Sequence, residues 1–149
     1  MDPLGLVLVV VFAGIGLIHL AWALGLNWPG TDPVTRAAVV IGTQNRALIG
    51  SVGWVAISAC FFLAVGVVWI AQQPIIHPLR AFVAYGGYTV LITAFALRGL
   101  APYVTQVFDY ARSTPFYTVN RRYYAPLCIG IALGLIVDFP AGLEDFLPG

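Results

Sequence analysis

Lysine is absent from this chain, and charge of either sign is scarce. Charged residues make up 9% of it, against about 25% in an average soluble domain. Seven arginines face six acidic residues. That balance leaves no basic patch for nucleic acid and no charged tail. Cysteine is equally sparse: Cys60 and Cys128 both sit in apolar runs. With no CxxC and no Cys/His cluster, a zinc site or redox dithiol has no ligands. Thiols in such surroundings ordinarily act as small hydrophobes. HExxH, P-loop, GxGxxG and GxSxG patterns are missing, which removes the metalloprotease, nucleotide and esterase signatures. There is no internal repeat, no pair of broken helices and no filter-like segment, so transporter and channel signatures are missing too.

Apolar sequence is abundant. Hydrophobic residues supply 60% of the chain, more than a soluble core of this size could bury, so lipid is the expected solvent. A helix needs about 20 apolar residues to cross roughly 30 Å of hydrocarbon. Four stretches approach this length: Pro3 to Leu26, Leu48 to Ala71, Pro78 to Ala101, and Tyr123 to Phe139. The last is the shortest, being interrupted by Asp138 and Pro140. The expected fold is therefore all-α: a single domain over residues 1–149, built as a four-transmembrane-helix bundle. The first stretch reads as a retained helix rather than a signal peptide. Asp2 stands where a signal would carry Lys or Arg, and the apolar run is too long.

The connectors carry their own signals. Trp28-Pro29-Gly30 marks a turn with an interfacial aromatic, and Asp32-Pro33 can open a short helix. In the third connector Val104, Val107, Phe108 and Ala111 fall on one helical stripe. Thr105, Gln106, Asp109 and Arg112 lie opposite. This spacing predicts a short amphipathic helix on the membrane surface. The tail from Ala141 to Gly149 is expected along the interface. Close helix crossings are sought at small residues, and Gly130-xxx-Gly134 is the leading candidate. Gly14, Gly16, Gly50, Gly53, Gly86 and Gly87 are others.

Arginine placement sets the expected orientation. Connectors one and three hold Arg36, Arg112, Arg121 and Arg122, with Arg46 and Arg98 nearby, whereas the other side has only Arg80. The positive-inside rule then puts these connectors in the cytoplasm and both termini outside.

Ionisable groups within lipid are costly and usually have a partner or a task. Antiparallel threading gathers most of them at one end. His19, Arg46, Arg98, Asn120, Arg122 and Tyr124 form a candidate ligand-binding cluster at the cytoplasmic end. An arginine there can hold a lipid phosphate or another anion. His19 can carry a proton or ligate a tetrapyrrole. The bland alternatives are that Arg98 snorkels to headgroups, His19 bonds a neighbouring carbonyl, and Arg121 and Arg122 only set topology. Bis-histidine haem is excluded, because His19 and His77 should lie roughly 20 Å apart in depth. A Cys60–Cys128 disulfide is disfavoured by about 10 Å of depth. On the outer side Arg80 and Asp138 should reach one level and form a structural ion pair. No catalytic set is visible, since a lone carboxylate lacks a second acid or base.

Two segments carry a resemblance. One is His19-Leu-Ala-Trp-Ala-Leu-Gly25 followed by Trp28-Pro29. The other joins Ala96-Leu-Arg98-Gly, Thr114-Pro115-Phe116 and Asn120-Arg-Arg-Tyr-Tyr-Ala-Pro-Leu-Cys128. Together they resemble the domain of unknown function 3995 family of small bacterial four-helix membrane proteins, over nearly the whole chain. The resemblance implies a four-span fold and a bacterial cytoplasmic membrane, and brings no activity, substrate or catalytic residue. Aspartate stands in the family pattern where this chain has Asn120, so no carboxylate role carries over. Composition favours an accessory subunit of a larger respiratory or photosynthetic membrane complex, with the bilayer and other membrane subunits as partners. The alternative is a self-sufficient membrane enzyme or binding protein for a lipidic or anionic small molecule, held by the His/Arg cluster.

Overall fold

The computed structural model describes residues 1–43, 50–74, 77–104 and 106–140. Arg46, Leu48, Thr105 and the tail beyond Pro140 lie outside the described residues. Among those described, every regular element is helical. Helix α1 spans Pro3–Ala23, α2 Pro33–Val40, α3 Ser51–Ala71 and α4 Pro78–Val104. A short α5, Pro115–Val119, runs through a π-turn, Asn120–Tyr124, into α6, Ala125–Val137. Among the described residues three helices, α1, α3 and α4, are long and apolar enough to cross a membrane. α6 has 13 residues and by itself is shorter than a crossing requires.

Local chemistry explains the ends. The Asp2 carboxylate caps α1 by accepting from the Gly5 N–H at 2.7 Å. Gly25, at φ +100°, ends it. The Leu26 N–H then reaches Ala21 O at 2.9 Å and the Gly25 N–H reaches Trp22 O at 3.2 Å, the paired bonds of a glycine-terminated helix. Helix α2 does begin at Asp32-Pro33, with a full capping box between Asp32 and Thr35.

The third connector departs from expectation. No surface helix runs through Val104, Val107, Phe108 and Ala111: Val104 belongs to α4, and Asp109–Ala111 is a single 3-10 turn. Downstream, Pro115 disfavours helical backbone at Thr114. Thr114 is extended, at φ −113° and ψ 157°. The chain therefore turns and restarts as α5. Pro126 explains the π-turn that follows. It lacks the N–H that would bond the carbonyl four residues back, and a wider turn accommodates that loss.

α1 packs along α3, and α4 along α6. The pairs meet around Leu8, Phe12, Val68, Tyr88, Ile131 and Leu135, all buried. Gly134 lies against Leu8 here. Gly130, by contrast, faces open space, so the expected Gly130-xxx-Gly134 crossing is not formed as a pair. α4 comes close to α6 at Gly99, where an added Cβ would lie 2.7 Å from Ile129 Cγ1, and to α3 at Gly87, another expected candidate, where it would lie 2.5 Å from Val67 Cγ1. Outward positions stay apolar: Val10, Leu17, Leu63 and Leu97 are all exposed. Helices that are apolar all round call for lipid on their outer faces, and this is the surface of a membrane protein.

At one end of the molecule four helices are tied by polar side chains. The Gln72 amide N–H₂ donates to Asp138 Oδ1 at 3.1 Å and to Asp2 Oδ2 at 3.4 Å. Gln72 Oε1 accepts from the Asp2 N–H at 2.9 Å. The Tyr88 hydroxyl donates to the other Asp138 oxygen. Gly5 leaves the room Gln72 occupies, for a Cβ there would fall 2.7 Å from its amide nitrogen. The expected Arg80–Asp138 ion pair is absent. Arg80 sits in the first turn of α4 and donates to Pro74 O at 2.8 Å. Tyr88, further into α4, takes the carboxylate instead.

Candidate functional site

At the opposite end the two helix pairs part, and a cavity of about 390 Å³ opens between them. Each long element contributes to its wall: Ile15 and His19 from α1, Phe61 from α3, Phe95 and Arg98 from α4. Tyr124 comes from the π-turn, and Cys128 and Ile131 from α6. His19, Arg98 and Tyr124, separated by most of the chain, are thus brought to one space.

His19 sits one helical turn from Ile15, so its Nδ1 reaches Ile15 O at 2.7 Å. A carbonyl only accepts, so Nδ1 carries the proton. In the neutral ring Nε2 is then left as an acceptor. The ring is boxed by Trp22, Trp54 and Phe61, with centroids 4.8, 5.7 and 5.3 Å away. The bond is to its own helix, not to a neighbouring one.

Arg98 is fixed by two contacts. Its Nη2 donates to Asn120 Oδ1 at 2.9 Å, and its guanidinium lies 4.9 Å from the Phe108 ring centre. Its Nη1 is buried without an acceptor, and so is the amide nitrogen of Asn120. Asn120 itself is fully buried. The one salt bridge among the described residues is Arg112–Asp109, on the surface. The Arg98 charge therefore faces the cavity with no carboxylate partner there. Arg98 as a whole is half-buried, but a buried guanidinium nitrogen is costly unless an anion or strong acceptor answers it.

Arg122 does not join the cluster. It is exposed and lies over the Tyr123 ring, as Arg121 lies over Tyr103 and Tyr117. One helical turn separates Asn120 from Tyr124, so both face inward, and the two arginines between them fall outside. The sequence reading also missed contributors. Cys128 lines the cavity, and Trp22 and Phe61 build the box around His19. Their only signal was that aromatic residues cluster at the facing ends of the first two spans. Among the described residues no group of three or more His, Cys, Asp or Glu could hold a metal ion.

A family model for proteins of unknown function, DUF3995, matches residues 12–135. The chain belongs to the DUF3995 family. The matched region takes in every cavity residue named above and leaves out Asp2 and Asp138 at the other end. No curated protein and no solved structure matches the chain.

Proposed function

We propose that this DUF3995 protein binds a lipid-soluble small molecule with an anionic or acceptor-bearing head in the cavity between its helix pairs. One observation carries this reading: Arg98 Nη1 is buried at the wall of an otherwise largely apolar cavity and has no acceptor. The volume falls in the usual range for small-molecule pockets, about 300–1,000 Å³. Arg98 would hold the head, and His19 Nε2 would accept from a hydroxyl of the same molecule. Phe61, Phe95 and Ile131 would cover its apolar body. The reading rests on four crossings of a bacterial cytoplasmic membrane, with both termini outside. It is supported by the unbroken helical run over 115–137 and by its antiparallel course beside α4. Tyr88 meets Asp138 at one end of that pair, and Arg98 meets Asn120 at the other.

Solvent extracts of the protein purified in mild detergent test it by mass spectrometry. An acidic or carbonyl-bearing compound is expected in the wild type. It should be depleted about tenfold or more in Arg98→Gln, the scale of a lost hydrogen bond to a charged group. Ile131→Trp, which fills the cavity and leaves Arg98 in place, should deplete it as well. Identical extracts from all three proteins would sink the reading. The accessory-subunit role is a separate proposal, tested by the mass of the native particle in the same detergent.

A further inference from the structure

A second pocket, of about 280 Å³, lies at the corner where α1 ends, α2 packs and α3 begins. Asn27, Arg36, Ser51 and Trp54 contribute to its wall. Three of its polar atoms are buried without partners: Arg36 Nε, Trp54 Nε1 and Asn27 Oδ1. Trp54 is only 4% exposed, so its indole N–H cannot turn to water. An indole nitrogen donates and cannot accept. The guanidinium of Arg36 is locked in place: Nη1 donates to Leu26 O at 2.6 Å and to Trp22 O at 3.3 Å. It also lies 5.7 Å from the Trp54 ring centre. Both donors are therefore held before any ligand arrives. Gly50, also on the wall, caps the 21-residue α3 without a side chain, so among the described residues no side-chain cap meets its first-turn N–H groups. A fixed positive charge, two orphaned donors and a helix start converge on one space. Oxyanions of phosphate type meet that combination.

We propose that this corner binds a phosphoryl group, with a hydroxyl or ammonium of the same molecule donating to Asn27 Oδ1. A phospholipid headgroup and free phosphate share this chemistry. The pocket shares Trp22 with the Arg98 cavity, but Asn27, Arg36 and Trp54, which carry the unpartnered atoms, do not line that cavity.

The test uses the full chain, delipidated in detergent and examined by native mass spectrometry. Three probes are offered: inorganic phosphate, dioleoyl-phosphatidylglycerol, and dioleoylglycerol, which has the same chains without the phosphate. Retention of phosphatidylglycerol but not dioleoylglycerol identifies a lipid phosphate. Retention of inorganic phosphate identifies the free ion. Trp54→Phe keeps the ring and removes the N–H, and should weaken retention about tenfold or more. Arg36→Lys keeps the charge and removes Nε, and should weaken it similarly. Arg112→Gln, which alters only a surface pair with Asp109, should leave it unchanged. The proposal is overturned if neither phosphate-bearing probe binds, if dioleoylglycerol binds as well as phosphatidylglycerol, or if Trp54→Phe, folded as the wild type, binds as tightly.

Discussion

A methyl group added at Gly99 would lie 2.7 Å from Ile129 Cγ1, 3.0 Å from Ile129 N and 3.1 Å from Ala125 O. Two of these three are backbone atoms and cannot swing aside, so α4 and α6 would have to separate. Gly99→Ala is expected to cost about 1–3 kcal/mol, the usual penalty for overpacking, read from unfolding in detergent. Gly130→Ala meets open space and should fall within about 0.5 kcal/mol of the wild type. Equal effects would show that α4 and α6 do not cross at Gly99. The contrast explains why glycine spacing alone misled. Gly130-xxx-Gly134 has the right interval, but an interval says nothing about which way a face points. Gly99 has no glycine partner at all, and its role appears only when Ile129 and Ala125 are placed across from it. Arg98 was legible for a simpler reason. An arginine inside an apolar run needs an answer wherever the helix points.

Helix ends, rather than helix interiors, carry the polar chemistry of this chain. At one end Tyr88 holds Asp138 against α4. Tyr88→Phe removes that donor and leaves the carboxylate only Gln72. A cost of about 1–3 kcal/mol is expected, seen as a lower midpoint of thermal unfolding in detergent. A midpoint unchanged from the wild type would mean the four-helix tie is ornamental. At the other end α2 is set by Asp32. The Thr35 N–H first, then the Val34 N–H, hold its carboxyl below the ordinary carboxylate range. A lowered folded-state value means the cap is fully present above that ordinary range and is lost as pH falls through the lowered value. Amide exchange at Val34 and Thr35 should accordingly accelerate only in that acid window, beyond the intrinsic pH trend. Asp32→Asn keeps a capping oxygen but cannot titrate, so its exchange should show no such step. A step that persists in the Asn variant would assign the effect to another group. The start of α2 was readable because Asp-Pro at a helix start is local chemistry. The missing surface helix before Thr114 was not, because the apolar spacing from Val104 to Ala111 fits a helix whether or not the chain forms one.

For the molecule as a whole, hydropathy was enough to find the long elements, since the bilayer imposes a length on them. It found only the later part of the helical run over 115–137, from Tyr123 on, because the polar and aromatic residues gather at its start, where Asn120, Arg121 and Arg122 depress the hydropathy. Its continuity comes from a π-turn that Pro126 makes necessary. The site depends on that run more than on any one residue. Asn120 and Tyr124 meet Arg98 and the cavity only if the chain returns beside α4 in the opposite direction. The proposed four crossings then require connectors one and three to share a compartment. In a Cys60→Ala, Cys128→Ala background, single cysteines at the exposed positions Thr31 and Ser113 should react with a membrane-impermeant maleimide from the same side. One at Pro74 should react from the other. Labelling of Thr31 and Ser113 from opposite sides would place His19 and Arg98 at different leaflets. In that arrangement no ligand could touch both, and the cavity would lose its polar wall.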